Sequence, residues 1–105
     1  MDAARFDQVA REELAYIEER LDEVDPDEVE VSSSEGVLTF ELRDGVKVVV
    51  NSHRAARQIW MAAVASAWHF DYDDSDGRWR TRSGDELRAT LTGLIEERIG
   101  LAVEL

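Results

Sequence analysis

Hydrophobic residues in the first quarter of the chain recur every three or four positions. This spacing places one apolar stripe along an α-helix. The stripe consists of Phe6, Val9, Ala10, Leu14, Ile17, Leu21 and Val24. Asp2 is a suitable N-cap, and Pro26 cannot continue a helix. The pattern therefore predicts an amphipathic helix that ends just after Val24.

In the middle of the chain the period changes to two, which is typical of strands. Two alternating runs, 37–42 and 46–50, flank Asp44-Gly45, a pair suited to a tight hairpin turn. Val29 and Val31 predict a short strand before them, with residues 32–36 as the turn. Further strands are predicted in "RQIWMAA", "AWHFDYD" and "RWRTR", the last two joined by the polar turn "DDSDG".

A second helix is predicted near the C-terminus. Ser83 and Glu86 match the S-x-x-E capping box, and Gly100 suits the position after the last turn. The buried stripe is predicted to be Leu87, Leu91, Leu94 and Ile95, with an apolar tail at 101–105 that can pack against the helices. The order of helix, antiparallel strands and helix predicts one α+β domain over residues 1–105. Its architecture is a two-layer sandwich with both helices on one face of the sheet.

Composition narrows the possible chemistry. The chain has no cysteine, which excludes disulfides, thiolate nucleophiles and a thiolate-ligated iron–sulfur cluster. The net charge of −12 disfavours nucleic acid and anionic membranes, and it favours metal cations or a basic protein partner. Because no apolar run could span a bilayer and no signal pattern is visible, a cytoplasmic location is expected.

The negative charge is concentrated at the N-terminal end, where residues 1–30 hold twelve acids against three arginines. Glu18, Glu19, Asp22 and Glu23 lie in the half of the helix whose dipole is negative, where each acid costs about 0.3–1 kcal/mol. Asp25 and Asp27 extend the cluster beyond the helix. Local rules that are broken without local benefit are expected at functional sites. We therefore expect this acidic stretch to have a function.

Carboxylates three and four residues apart on a helix are close enough to share a cation. Their hard oxygen atoms suit iron, Mn²⁺, Mg²⁺ and Ca²⁺. A convex helix surface cannot enclose the ion, so weak and poorly selective binding is expected. Such a surface suits a metal carrier or a docking face for a basic partner.

Other candidate sites have weaker support. The segment that starts at Asp71 is similar to a calcium loop, but Asp76 stands at its glycine position and Arg82 at its glutamate position. It is interpreted as a hairpin turn. His53 and His69 are interpreted as ordinary strand or loop residues rather than metal ligands.

Trp60 is expected on the open face of the sheet beside Gln58, because strand alternation turns Ile59 and Met61 towards the helices. An exposed tryptophan can anchor a binding partner. Alternatively, Trp60 packs across strands against Thr39 or Lys47. Both interpretations are kept.

Several segments together resemble the frataxin family, most closely its bacterial CyaY type. They are "IEERLDE", "GVLTFEL", "VNSHRAARQIWMA", "HFDYD" and "RSGDEL", and the resemblance runs from about Phe6 to the second helix. It implies an α/β sandwich and weak, reversible binding of Fe²⁺ or Fe³⁺. It also implies a role in iron–sulfur cluster assembly with a cysteine desulfurase and a scaffold protein as partners. No catalytic residue is predicted, because the sequence shows no glycine-rich phosphate loop and no Ser/His/Asp order.

The family's functional positions can be placed on this sequence. The resemblance implies metal binding at Glu18, Glu19, Asp22, Glu23, Asp25, Asp27 and Glu30, which we call the acidic ridge. It implies partner contacts at Glu18, Glu19, Asp22 and Glu23 for the desulfurase and at Asn51, Gln58 and Trp60 on the sheet surface. The chain departs from the family pattern at His53, Ala55, Ser66 and Ala67.

Three functions stay open at this point. The first is an iron-binding accessory protein of cluster assembly, expected to be a monomer that can oligomerise with iron. The second is an acidic adaptor whose charge serves only protein docking. The third is a ferroxidase that uses the clustered carboxylates.

Overall fold

The two predicted helices and the predicted strands assemble into two layers. A computed structural model describes all 105 residues. Its elements are α1 Ala3–Asp22, β1 Val29–Ser34, β2 Val37–Leu42, β3 Lys47–His53, β4 Gln58–Ala63, β5 Ser66–Asp73, β6 Arg78–Arg80 and α2 Leu87–Ile99. The six strands form one antiparallel sheet in chain order. Both helices pack on one face of this sheet, which confirms the predicted α+β sandwich.

One core of 21 buried residues joins the layers. It contains the predicted stripe of α1 from Phe6 to Leu21 and every second residue of the central strands. Val24 is only half-buried, because α1 ends at Asp22. The backbone N–H groups of Glu23 and Val24 donate to the carbonyls of Arg20 and Leu21, three residues back. This tightened last turn ends the helix before the predicted position.

The predicted turn over residues 32–36 is wrong. Ser32, Ser33 and Ser34 continue β1 and pair with β2, so the turn contains only Glu35 and Gly36. Both have positive φ, 49° and 80°, as a two-residue type I′ hairpin turn requires. The short turn lets the ladder extend through the serines, although their strand propensity is low.

The predicted capping box at Ser83 is also wrong. The N-cap of α2 is Glu86, whose side chain accepts hydrogen bonds from the backbone N–H groups of Arg88 and Ala89. Residues 81–85 instead form a turn in which the Thr81 N–H donates to the Asp85 carbonyl. This turn delays the start of the helix by one turn.

The far end of α2 agrees with prediction. Leu87, Leu91 and Ile95 are buried, and Leu94 is half-buried. Gly100 adopts the left-handed conformation, with φ of 68°, and caps the helix. The apolar residues of the tail pack against the core. Neither helix combines the length and the apolar composition needed to cross a membrane.

Candidate functional site

The acidic ridge follows the C-terminal half of α1, the turn after it and the start of β1. Six of its seven side chains are exposed, and Glu18 is half-buried. The apolar stripe of α1 fixes this orientation, because Ile17 and Leu21 face the core and turn the acids between them outwards. The ridge is therefore a continuous acidic edge that any approaching cation can reach.

Cations within the protein neutralise little of this edge. Glu23 is the one ridge residue in an ion pair, with its Oε2 at 3.8 Å from Nη1 of Arg20. That guanidinium also donates two hydrogen bonds, of 3.1 and 3.2 Å, to the Glu104 carbonyl in the tail. Glu30 lies directly opposite another acid, Glu41, in the β1–β2 ladder, which is unfavourable. Six of the seven ridge carboxylates therefore have no cationic partner within the protein.

The ridge carboxylates do not converge on one point. No three acids or histidines in the chain lie together in a group that could hold a metal ion. The Asp25 carboxylate is partly engaged, since it accepts a hydrogen bond of 2.9 Å from the Asp27 backbone N–H. A cation on this surface would be bound by few protein oxygens and would keep most of its water ligands.

Glu28 lies in the same segment but is held by the fold. Its carboxylate pairs with Arg43, whose guanidinium also donates to the Ile99 carbonyl at 3.0 Å. Arg98 of α2 pairs with Asp44 of the neighbouring turn at 2.9 Å. These contacts connect the segment around Glu28 to α2, so Glu28 is held in an ion pair, unlike six of the seven ridge carboxylates.

Trp60 lies on the opposite, open face of the sheet, as predicted. Ile59 and Met61 are buried beneath it, and its indole N–H donates to the Gln58 side chain at 2.9 Å. Gln58 in turn donates to the Asp71 carboxylate at 3.0 Å. Asn51 is the cross-strand neighbour of Trp60 on β3. The structure therefore brings together the three predicted partner residues of the sheet.

The alternative in which Trp60 packs across strands against Thr39 or Lys47 is wrong. Its ring is sandwiched between His53 and His69, with ring centroids at 3.8 and 4.3 Å and interplanar angles of 15° and 14°. Thr39 and Lys47 lie elsewhere, because the ladder pairs Thr39 with Val49 and Lys47 with Glu41. Both histidines are strand residues, as predicted. The pairing of Trp60 with His69 follows once the tight β4–β5 turn sets the register.

The calcium-like segment is the β5–β6 turn, which confirms its interpretation as a hairpin. Arg80 pairs with two of its acids, with Nη atoms at 2.8 Å from Asp73 and 2.7 Å from Asp76. The hydrogen bond from Arg80 lowers the pKa of Asp76, and hydrogen bonds from Ser75 lower the pKa of Asp73. These acids are already neutralised within the fold.

Comparison with known proteins assigns the chain to a family. The family model of the frataxin-like domain matches residues 1–101. The chain belongs to the frataxin family. Frataxin sequences similar to it include two named iron–sulfur cluster assembly protein CyaY. The one from Paraburkholderia phymatum is 40% identical over 88% of this chain and 86% of its own. The one from Dechloromonas aromatica is 37% identical over 100% and 99%.

Solved structures of frataxins have the same fold as this chain. Frataxin from Psychromonas ingrahamii, a model for stability modulation within the CyaY protein family, superposes with a TM-score of 0.89 at 28% identity. The match covers 99% of this chain and 97% of that one. Trimeric frataxin from Saccharomyces cerevisiae in a ferrous complex has a TM-score of 0.75 at 30% identity, covering 89% and 87%. The resemblance seen in the sequence, including its CyaY type, is confirmed.

Proposed function

We propose that this protein is an iron-binding accessory and regulatory protein of iron–sulfur cluster assembly that docks on a cysteine desulfurase. The observation that carries the proposal is the acidic ridge, in which one of seven carboxylates has a cationic partner. The names of the CyaY relatives supply the pathway. The ferrous complex of the yeast frataxin supplies the metal.

The geometry of the ridge supports weak, reversible iron binding. One or two carboxylates with several waters suit Fe²⁺ or Fe³⁺ as hard cations, and this coordination leaves the ion free to exchange. Iron in this proposal is cargo rather than a resident cofactor. Since the chain has no cysteine, it offers no thiolate to a finished cluster.

The same residues would meet a basic surface of the desulfurase. We assign this contact to Glu18, Glu19, Asp22 and Glu23, where α1 ends. The sheet face with Asn51, Gln58 and Trp60 would contact the scaffold protein on which the cluster is built. The two surfaces lie on different layers of the sandwich, so both partners can bind at the same time.

Titration of Fe²⁺ into the isolated protein tests the metal step. Amide signals of residues 18–30 should shift with weak affinity, while the ring signals of His53 and His69 stay unchanged. The variant Glu19→Gln/Asp22→Asn/Glu23→Gln should lose most of the shift. Tight, selective binding centred on either histidine contradicts the ridge as the iron site.

Pull-downs with desulfurase alone, then with desulfurase and scaffold, test the docking step. Binding to the desulfurase should weaken as salt rises, because it is largely electrostatic. Charge reversal at the four α1 acids should abolish it even without metal. Trp60→Ala should spare this binary contact and weaken assembly with the scaffold. Desulfurase binding that is insensitive to salt, survives charge reversal and fails with Trp60→Ala would show that the desulfurase docks on the sheet face and not on the acidic ridge.

The acidic adaptor is the second candidate, and one observation favours it. The ridge does not gather three ligands into a metal site. If desulfurase activity responds equally to the protein in iron-free and iron-loaded form, the charge serves docking alone. We propose a binding protein rather than an enzyme, and a monomer that assembles further only with iron. Oxygen consumption during Fe²⁺ addition tests the ferroxidase alternative, and sedimentation with and without iron tests assembly.

A further inference from the structure

A groove of about 540 Å³ lies between α1 and the tip of the β1–β2 hairpin. Small side chains open it, among them Ala10 and Ala15 on α1 and Ser33 on β1. Leu14 and Leu38 contribute apolar atoms to its floor. The groove lies on the flank of α1 next to the hairpin tip, and only Glu18 belongs both to it and to the acidic ridge.

The charges around the groove are incompletely paired. Asp7 pairs with Arg54 at 3.3 Å, whereas Glu18, Glu35 and Arg11 have no ion-pair partner. Two unpaired acids therefore face one unpaired cation. The apolar surface of the groove comes from Leu14 and Leu38, whereas the exposed side chain of Val37, paired with Asn51 in the ladder, is turned to the Trp60 face of the sheet. This combination is complementary to a segment that is both apolar and basic.

The wall of the groove is a free sheet edge. β1 is a terminal strand of the sheet, so every second residue turns its backbone N–H and C=O away from β2. Natural edges are usually protected by charged side chains or proline. Ser32, Ser33 and Ser34 provide neither, and the last two line the groove. An extended chain would find unpaired backbone groups here.

Glu35 occupies a position that is unfavourable for its residue type. Its φ is 49°, a left-handed conformation that glycine, asparagine and aspartate adopt far more readily. Asparagine would suit the turn better and would carry no charge. The structure thus retains a carboxylate at the rim of the groove at a cost to the turn, which is expected where the side chain has a use.

We propose that this groove binds an extended basic segment of a partner protein. The segment would place small apolar side chains on the floor and Lys or Arg side chains beside Glu18 and Glu35. Positions 7 and 18 are eleven residues apart on α1, about 16 Å, which matches about five residues of extended chain. The groove shares Glu18 with the contact proposed for the desulfurase, but the binding proposed here requires neither iron nor the desulfurase.

A capped pentapeptide, Lys-Val-Lys-Val-Lys, is a suitable probe, because an extended backbone puts its lysines on one side and its valines on the other. In an NMR titration the amides of Ala15, Ser33, Ser34 and Val37 should shift. The acidic analogue Glu-Val-Glu-Val-Glu should produce no such shifts. Shifts confined to residues 19–30, or equal binding of the acidic peptide, would overturn the proposal, because only general attraction to the ridge would then be present.

Two variants separate the groove from the turn. Glu35→Asn should raise the melting temperature and yet weaken peptide binding by about two- to fivefold, the value of one exposed charge pair. Ala15→Leu keeps helix propensity, fills the groove and should remove binding. The control Glu97→Gln removes one exposed acid on α2 and should leave affinity unchanged. Unaltered affinity in both groove variants would show that the peptide binds elsewhere.

Discussion

Two acid-rich segments of this protein have opposite surroundings. In the β5–β6 turn, Arg80 bonds to both Asp73 and Asp76, and the pKa values of these carboxyls are lowered. In the acidic ridge, a single contact of 3.8 Å joins Glu23 to Arg20. Both segments are rich in acids, but residues 71–82 hold four acids with three arginines, whereas residues 18–30 hold eight acids with one. The number and the positions of the arginines therefore distinguish the two segments.

The difference follows from where each arginine can reach. Arg80 lies in β6, where its guanidinium reaches Asp76 in the turn, four residues back, and Asp73 at the end of the opposite strand. Arg20 lies within the ridge, but its guanidinium is turned towards the Glu104 carbonyl of the tail. The fold therefore uses its nearest cation to hold the tail and leaves the ridge negative. The ridge is free to bind an external cation or a basic surface.

The largest effect is expected where an acid of α1 is fully paired. Glu13 is the one buried charged residue, 5% exposed, and its carboxylate is bound by Arg88 at 2.8 and 3.0 Å. Hydrogen bonding to Glu13 raises the pKa of Arg88, whose guanidinium also lies 4.1 Å from the Tyr16 ring centroid. Glu13→Gln leaves this cation without its counter-charge and should lower the free energy of unfolding by about 2 kcal/mol.

Urea unfolding measures this change, and Glu12→Gln is the matched control. Glu12 is the exposed neighbour of Glu13, and its carboxylate accepts only a hydrogen bond from Gln8. The control should stay within about 0.5 kcal/mol of the parent protein. Equal effects at both positions would mean that pairing does not separate structural acids from free ones on α1.

The next effect has the opposite sign. Glu19→Gln/Asp22→Asn/Glu23→Gln removes mutual repulsion and the unfavourable interaction with the helix C-terminus, so it should raise stability by about 1 kcal/mol. Added salt should raise the melting temperature of the parent protein more than that of the variant. Destabilisation by these substitutions would show that the ridge is structural, which would remove the charge-strain argument for its function.

These contrasts also show what the sequence could predict. Periodicity identified both helices and all six strands, because the apolar side chains of each element face a single core. It also placed Trp60 correctly, since alternation from the buried Ile59 determines the face. The side chains that contact Trp60, in contrast, depend on the register of β3, β4 and β5. The stacking of His53 and His69 on Trp60 was therefore missed.

Contacts between distant segments could not be predicted. Glu13 and Arg88 are 75 residues apart, and nothing local marks either one as paired. The start of α2 was misplaced for a similar reason, since Ser83 is a residue type favoured at an N-cap and Glu86, the observed cap, is not. The turn closed by Thr81 and Asp85 decides between them. The ridge was predictable because its property is an absence of local compensation, which can be seen in sequence.

Two single substitutions, one in the β5–β6 turn and one in the acidic ridge, compare the two segments directly. Asp76→Asn removes a carboxylate that Arg80 holds and should lower the melting temperature. Asp22→Asn removes an unpaired carboxylate near the end of α1 and should raise it. Asp74→Asn is the control within the turn, because Asp74 has only a 3.5 Å contact to Arg5 and should change little. The same sign for Asp76→Asn and Asp22→Asn would contradict the distinction between the two segments.

The smallest effect is expected from acid. Hydrogen bonds lower the pKa values of three aspartate carboxyls in the folded protein: from the Val46 N–H and Arg98 to Asp44, from Ser75 to Asp73, and from Arg80 to Asp76. Below the ordinary aspartate pKa of about 3.9, the unfolded chain takes up protons that the folded chain still excludes. The stability from these groups is therefore complete above that pH and is lost as pH falls towards the lower folded-state values. Melting temperatures measured from about pH 5 to about pH 2.5, a range that brackets this pKa, should fall less steeply for Asp73→Asn/Asp76→Asn than for the parent protein. Parallel curves would show that the hydrogen bonds of the turn do not stabilise the ionised carboxylates of the folded protein.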